Sequence, residues 1–197
     1  MGLREKKAAQ SRDRMVSAAI ELFERDGYDA TTMEEIAARA DVGTTTLYRY
    51  FPSKDLLLLD ELAQVLDLAP HLRARPEDED LETALGRVLL TLAHTVDDPR
   101  RNIAATRRLI DKSPTPRAKL WDLFLSARES LEVAIGERLG TPPTSLSVRV
   151  TAALTLELAQ MIDEMNGRSP GTREEITASV LTQLADATIH LPRMAAR

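Results

Sequence analysis

The sequence predicts an all-α protein of about nine helices, and three observations carry that reading. Apolar residues recur at i, i+3, i+4, i+7 in one segment after another. No stretch alternates apolar and polar residues with β-branched enrichment. Only 8 glycines and 10 prolines punctuate 197 residues. Short polar breaks separate the helical segments, as in a helical bundle. With 43% hydrophobic and 29% charged residues the chain is expected to be globular, as one large domain or two modest ones.

The first helix is expected from about Ser11 to Asp26. Val16, Ala19, Ile20 and Phe23 form one apolar stripe, and Gly27 is a natural stop. The second starts at Thr32 with Glu35 three residues on, a capping box, and buries Met33, Ile36, Ala37 and Ala40. A tight Asp41-Val42-Gly43 turn follows. The third helix covers roughly Thr44 to Phe51 and is ended by Pro52; Ser53 then caps a fourth helix that runs to about Ala69.

A polar, acidic break (residues 73–82) leads to a fifth helix at Leu81–Val96. Asp98 and Pro99 read as the N-cap and first position of a sixth, which extends to Lys112. Pro116 opens a long seventh helix that reaches Leu139, and residues 140–145 are a loop. The eighth helix spans Leu146 to Asn166, followed by a break at residues 167–171. A second capping box, Thr172 with Glu175, starts the ninth, which is expected to end near Leu191, before Pro192.

Charge is unevenly spread. The chain carries −5 overall, yet residues 1–14 hold five Lys and Arg (Arg4, Lys6, Lys7, Arg12, Arg14) against two acidic residues, a local surplus of +3. A basic arm on an acidic body is the asymmetry expected when one end meets nucleic acid; a solvated terminus is the plain alternative. There is no cysteine, so disulfides and thiolate metal sites are excluded, which fits a reducing cytoplasm. The charged start lacks a following apolar segment, so no secretory signal is expected, and the Leu56–Leu59 run is far too short to cross a bilayer.

The most informative segment is residues 32–54, TMEEIAARADVGTTTLYRYFPSK. A short helix, a tight turn and a second short helix make a helix-turn-helix, whose second helix is suited to a DNA major groove. Leu47 and Phe51, four apart, should point into a small core with Ile20, Phe23 and Ile36. That leaves Thr44, Thr45, Tyr48 and Arg49 facing outward. Threonine hydroxyls suit base edges or phosphates, and an exposed tyrosine offers a flat apolar body with a hydroxyl. Lys54 is placed to hold a phosphate by charge, and Thr32 to offer its hydroxyl and nearby backbone N–H groups. Plainer roles stand beside these: Thr32 as a helix cap, Tyr50 as a cover on the core, Lys54 as a solvated lysine.

The stretch YDATTMEEIAARADVGTTTLYRYFPSKDLLL closely resembles the N-terminal domain of TetR-type transcriptional regulators, a match that covers about residues 12–60. The resemblance implies an all-α homodimer with a DNA-binding domain at residues 1–53 and a ligand-binding and dimerisation body at 54–197. By position it also implies DNA contact by Thr44, Thr45, Tyr48, Arg49 and Tyr50, and phosphate contact by Thr32, Thr46 and Lys54. Many relatives have serine where Gly43 stands and lysine where Thr44 stands, so their base preference does not carry over.

In the body, the eighth helix sets Val150, Leu154, Leu158, Met161 and Met165 on one stripe, and the ninth sets Ile176, Val180 and Leu184 on another. Two long apolar faces suit an isologous dimer interface, with an intramolecular core as the alternative. A dimer places two recognition helices about 34 Å apart, so the operator is expected to be near-palindromic. Leu89, His94, Leu109, Trp121, Phe124, Leu125, Leu158 and Met161 are the candidates to line a cavity for a lipophilic small molecule. The arginines Arg100, Arg101, Arg107 and Arg108 suggest an anionic effector such as an acyl thioester, or else a salt-bridged surface.

The expected function is a repressor released from its operator by such a ligand. The alternatives are a ligand-independent or activating regulator, and an all-α enzyme. The enzyme reading is poor: His71, His94 and His190 are scattered without metal spacing, and no glycine-rich phosphate loop occurs. No metal or cofactor is expected.

Overall fold

The computed structural model describes residues 2–97, 101–166 and 168–188, and every regular element among them is helical. Ten helices follow in order: α1 (Leu3–Asp26), α2 (Met33–Arg39), α3 (Thr44–Tyr50), α4 (Lys54–Leu66), α5 (Ala69–Arg73), α6 (Leu81–Val96), α7 (Ile103–Lys112), α8 (Pro114–Leu139), α9 (Leu146–Asn166) and α10 (Arg173–Asp186).

The all-α expectation holds, and five boundaries differ. Helix α1 starts at Leu3, so most of the basic arm is itself helical. The fourth helix stops at Leu66 because Pro70 has no N–H to donate to the Leu66 carbonyl; Pro70 instead opens the short α5, the additional element. The cap expected at Asp98 and Pro99 lies outside the described residues, but the helix that follows begins only at Ile103, after Asn102. Helix α8 opens at Pro114 rather than Pro116, since both prolines are tolerated in a first turn. Helix α10 ends at Asp186, short of the expected Leu191, which with His190 lies outside the described residues.

Both capping boxes form. The Thr32 hydroxyl accepts the Glu35 N–H at 3.2 Å while the Glu35 carboxylate accepts the Thr32 N–H at 2.8 Å, and Thr172 with Glu175 repeats the arrangement. Those Thr32 donors hold the Glu35 carboxyl below its usual range, and the Thr83 N–H does the same for Asp80, the N-cap of α6. With depressed folded values, both groups contribute stability above the ordinary carboxylate range and lose it as pH falls through the lowered ones. Ser53 precedes α4 in extended conformation but makes no side-chain cap bond.

Two cores meet along α4. Leu57, Leu58, Leu59 and Leu62 pack with Met15, Phe23, Ile36, Leu47 and Phe51 in the N-terminal core, which also takes in Leu109 and Ile110 of α7. Leu66 borders both cores, and the second gathers Leu68 and Leu72, the inner face of α6, Leu131 and Ile135 of α8, and Val148 and Ala152 of α9. A helix buried on several sides must be apolar most of the way round, which is why a run of leucines stands there.

Gly86 lies within α6, where an added Cβ would meet only Leu181 Cδ1, at an ordinary 3.7 Å. Gly86→Ala is therefore expected to stabilise the protein by about 0.5–1 kcal/mol, checked by denaturant unfolding.

Candidate nucleic-acid interface and effector cavity

The turn between α2 and α3 is built from backbone hydrogen bonds. Asp41 N–H donates to the Ala38 carbonyl at 3.2 Å and Val42 N–H to Ala37 at 3.0 Å, which together form a Schellman closure of α2. The left-handed residue this requires is Asp41, at φ 54°, while Gly43 is in an ordinary extended conformation as the N-cap of α3. An aspartate tolerates that region better than most residues. Sequence reading placed Gly43 in the turn and missed the role of Asp41.

This turn sets α3 across the three-helix core with Leu47 and Phe51 buried beneath it. Thr45, Tyr48 and Arg49 are exposed on the opposite side, and Thr44 and Thr46 are half-buried. Tyr48 is 44% exposed, a large aromatic ring held in solvent by a helix whose other face is anchored. Tyr50 instead packs against the N-terminal core, with the Arg49 guanidinium 5.7 Å from its ring centre. Thr32 is exposed at the start of α2, and its hydroxyl also lies 2.9 Å from the Glu35 carboxylate.

Lys54 has a role that the sequence did not suggest. Its Nζ donates to the carbonyls of Tyr28 and Thr31, both at 2.8 Å, and of Asp29 at 3.4 Å, and sits 4.7 Å from the centre of the Tyr28 ring. The Tyr28 hydroxyl in turn donates to Asp55, and burial together with that carboxylate pushes the phenol well above its ordinary range. Lys54 thus ties the α1–α2 loop to the first turn of α4.

A second tie joins the reading unit to the body. The Arg12 guanidinium grips both oxygens of Asp60, which is 5% exposed in the middle of α4, and lies 4.7 Å from the centre of the Phe51 ring at the end of α3. Gln64 donates to the same carboxylate at 2.8 Å. At the next residue, the Glu61 carboxylate accepts the Asn102 N–H at 2.6 Å and so satisfies the start of α7; its half-buried position raises its pKa.

The body holds a cavity of about 360 Å³ between α4, α6, α7, α8, α9 and α10, within the size range of small-molecule sites. Of the eight residues expected to line it, Leu89 and Phe124 do so. The other six lie elsewhere. Leu109 fills the N-terminal core, and His94 is exposed with Glu174 3.7 Å away. Trp121 is 70% exposed and borders an outer groove with Leu125; Met161 is exposed on α9, and Leu158 packs on the second core. Residues that line the cavity but were not anticipated include Leu62, Val65 and Leu66 of α4. The arginine cluster is also dispersed: Arg107 pairs with Asp163, Arg108 with Glu24 at 2.8 Å, Arg101 acts on Glu61, and Arg100 lies outside the described residues.

Helix α9 has two apolar faces. Val148, Ala152, Leu156 and Ile162 are buried in the core, while Leu146, Val150, Leu154, Met161 and Met165 remain exposed. Ile176, expected at a dimer interface, is only 6% exposed and fills the chain's own core; Val180 also packs against that core, and Leu184 is half-buried.

An all-α chain whose N-terminal helix-turn-helix presents α3 outward defines the class: a helix-turn-helix protein with a helical body. Comparison with known proteins narrows it. Residues 15–60 match the sequence model described as bacterial regulatory proteins, tetR family. The chain is 30% identical over 120 residues to the HTH-type transcriptional regulator TcmR of Streptomyces glaucescens, which covers 57% of this chain and 53% of TcmR. It is 47% identical over 55 residues to the HTH-type transcriptional repressor KstR of Rhodococcus jostii, 28% of this chain and 26% of KstR. A crystal structure of a TetR-family transcriptional regulator from Streptomyces coelicolor superposes with a TM-score of 0.51 at 27% identity, covering 89% of this chain and 81% of the other. Residues 15–60 are thus similar to the bacterial tetR family, and the fold of the chain is similar to that of a TetR-family regulator. The matched stretches span about half of TcmR and a quarter of KstR. Among the described residues no helix is long and apolar enough to cross a membrane.

Proposed function

We propose that this chain is a cytoplasmic, dimeric repressor that reads a near-palindromic operator with α3 and is released when a small lipophilic molecule enters the body cavity. The observation that carries the reading is the exposed Thr45–Tyr48–Arg49 face, held rigid by the buried Leu47 and Phe51. In this reading residues 1–53 are the DNA-binding unit and 54–197 the effector and dimer body. Thr44, Thr45, Tyr48 and Arg49 meet the groove; Thr32, Thr46 and Lys54 lie along the phosphates. Tyr50, turned onto the core, supports α3 rather than touching bases.

Dimerisation is assigned to the exposed stripe of α9, Val150, Leu154, Met161 and Met165, because the chain's own core has no use for that face. The relatives' names support regulation, and KstR is named a repressor. Helix α4 supplies the coupling. Its last turns wall the cavity through Leu62, Val65 and Leu66, and Asp60, in its middle, holds α1. A ligand that fits only a shifted α4 releases DNA in proportion to its differential affinity for that state.

Tyr48→Ala is expected to weaken operator binding about tenfold with little change in Tm, because the exposed residue is not one of those that build the core. Lys54→Ala should weaken it too, with a small fall in Tm, as the α1–α2 loop loses its donor. Anisotropy titrations at several salt concentrations check both; unchanged affinity for the two variants would count against the reading.

A further inference from the structure

We infer that the body cavity is selective by charge and takes a lipophilic cation in preference to an anion; the inference rests on the reading of that cavity as the effector site. Its wall carries two guanidiniums, Arg107 and Arg173, and three carboxylates, Asp111, Asp163 and Glu164. The guanidiniums are already committed. Arg173 donates to Asp163 at 2.6 Å and to Asp97 at 2.9 Å, and Arg107 takes the other oxygen of Asp163. Arg173 is also 7% exposed, so an anion would have to displace Asp163 and Asp97, which already hold it.

Asp111 and Glu164 are in the opposite condition. Among the described residues Asp111 has no ion-pair or hydrogen-bond partner, and Glu164 has only the Gln160 amide at 3.4 Å. The backbone adds to the same sign. Helices α6, α7 and α9 each lend the wall residues of their last turn (Val96, Asp111, Asp163 and Glu164), where unpaired carbonyls leave a negative helix end; against them stands only the first turn of α10 at Arg173. Leucine and isoleucine form half of the remaining wall, with Phe124 as the aromatic ring available to a cation. An anionic effector, which the arginine-rich sequence of α7 suggested, finds no free arginine here.

The test compares two ions of nearly equal size and opposite charge, tetraphenylphosphonium and tetraphenylborate, against the full-length protein by isothermal titration and thermal shift. The expected result is at least tenfold tighter binding of the phosphonium. That ratio should fall at least threefold in the Asp111→Asn, Glu164→Gln double variant, and binding should be lost when Leu89→Trp fills the cavity (Ala159→Phe if the first does not fold). Equal or tighter binding of the borate, or a ratio untouched by the double variant, overturns the charge selectivity while leaving the cavity as the effector site. Binding of neither ion, or binding indifferent to the filled cavity, overturns the effector site and the selectivity together.

Discussion

Replacing Arg12 by methionine is expected to destabilise the protein by about 2–4 kcal/mol, among the largest single effects available in the chain. Asp60 is 5% exposed, and its compensating charge comes from Arg12, 48 residues away; Gln64 supplies a single neutral hydrogen bond. Removing one partner of a buried pair typically costs about 3–5 kcal/mol, because the remaining charge is left in a poor solvent. The Arg12 side chain is 40% exposed, so water reaches the pair and the figure falls towards the lower end. Loss of the contact with the Phe51 ring adds to it.

For a chain of this size the change lowers Tm by roughly 5–12 °C. The double variant Arg12→Met, Asp60→Leu should recover most of the loss, since it removes the stranded charge instead of creating one. Thermal unfolding of the three proteins checks this; equal Tm for the single variant and the parent would mean the pair contributes nothing. The single variant should also loosen operator binding, because Arg12 fastens α1 to α4 and covers the end of α3.

Gly136→Ala is expected to destabilise by about 1–3 kcal/mol, opposite in sign to Gly86→Ala in α6. Alanine in a helix is worth about 1 kcal/mol over glycine. At Gly136, though, the new Cβ would lie 2.7 Å from the Thr141 carbonyl oxygen and 3.2 Å from the Pro143 nitrogen. Both are backbone atoms, and Thr141 N–H already donates to the Gly136 carbonyl at 3.0 Å to close α8. The loop cannot retreat without breaking that closure, so overpacking outweighs propensity. Denaturant midpoints for the two alanine variants should therefore move in opposite directions.

The comparison of sequence with structure separates two kinds of information. Local chemistry was legible: the capping boxes at Thr32 and Thr172, the span of α9 from Leu146 to Asn166, and the division of α3 into a buried Leu47 and an exposed Tyr48. Each depends on residues within a few positions of one another. What was missed depends on partners far along the chain. Trp121 has the chemistry of a cavity residue, but which face of α8 packs inward is decided by α4, α5 and α9. Ile176 fits a dimer stripe equally well, and α6 claims it for the core. The arginines of α7 look like an anion site until Asp163 and Glu24 are placed beside Arg107 and Arg108. Lys54 looked free until the Tyr28–Thr31 loop folded over it.

The central claim is that α3 reads base sequence from a dimer. Selection of duplexes bound by the purified full-length chain from a random pool tests it most directly. The account predicts enriched sites with two inverted half-sites, bound by a dimer and weakened about tenfold by Tyr48→Ala. A pool that stays random, or enriched sites that a monomer binds as single half-sites, would contradict it.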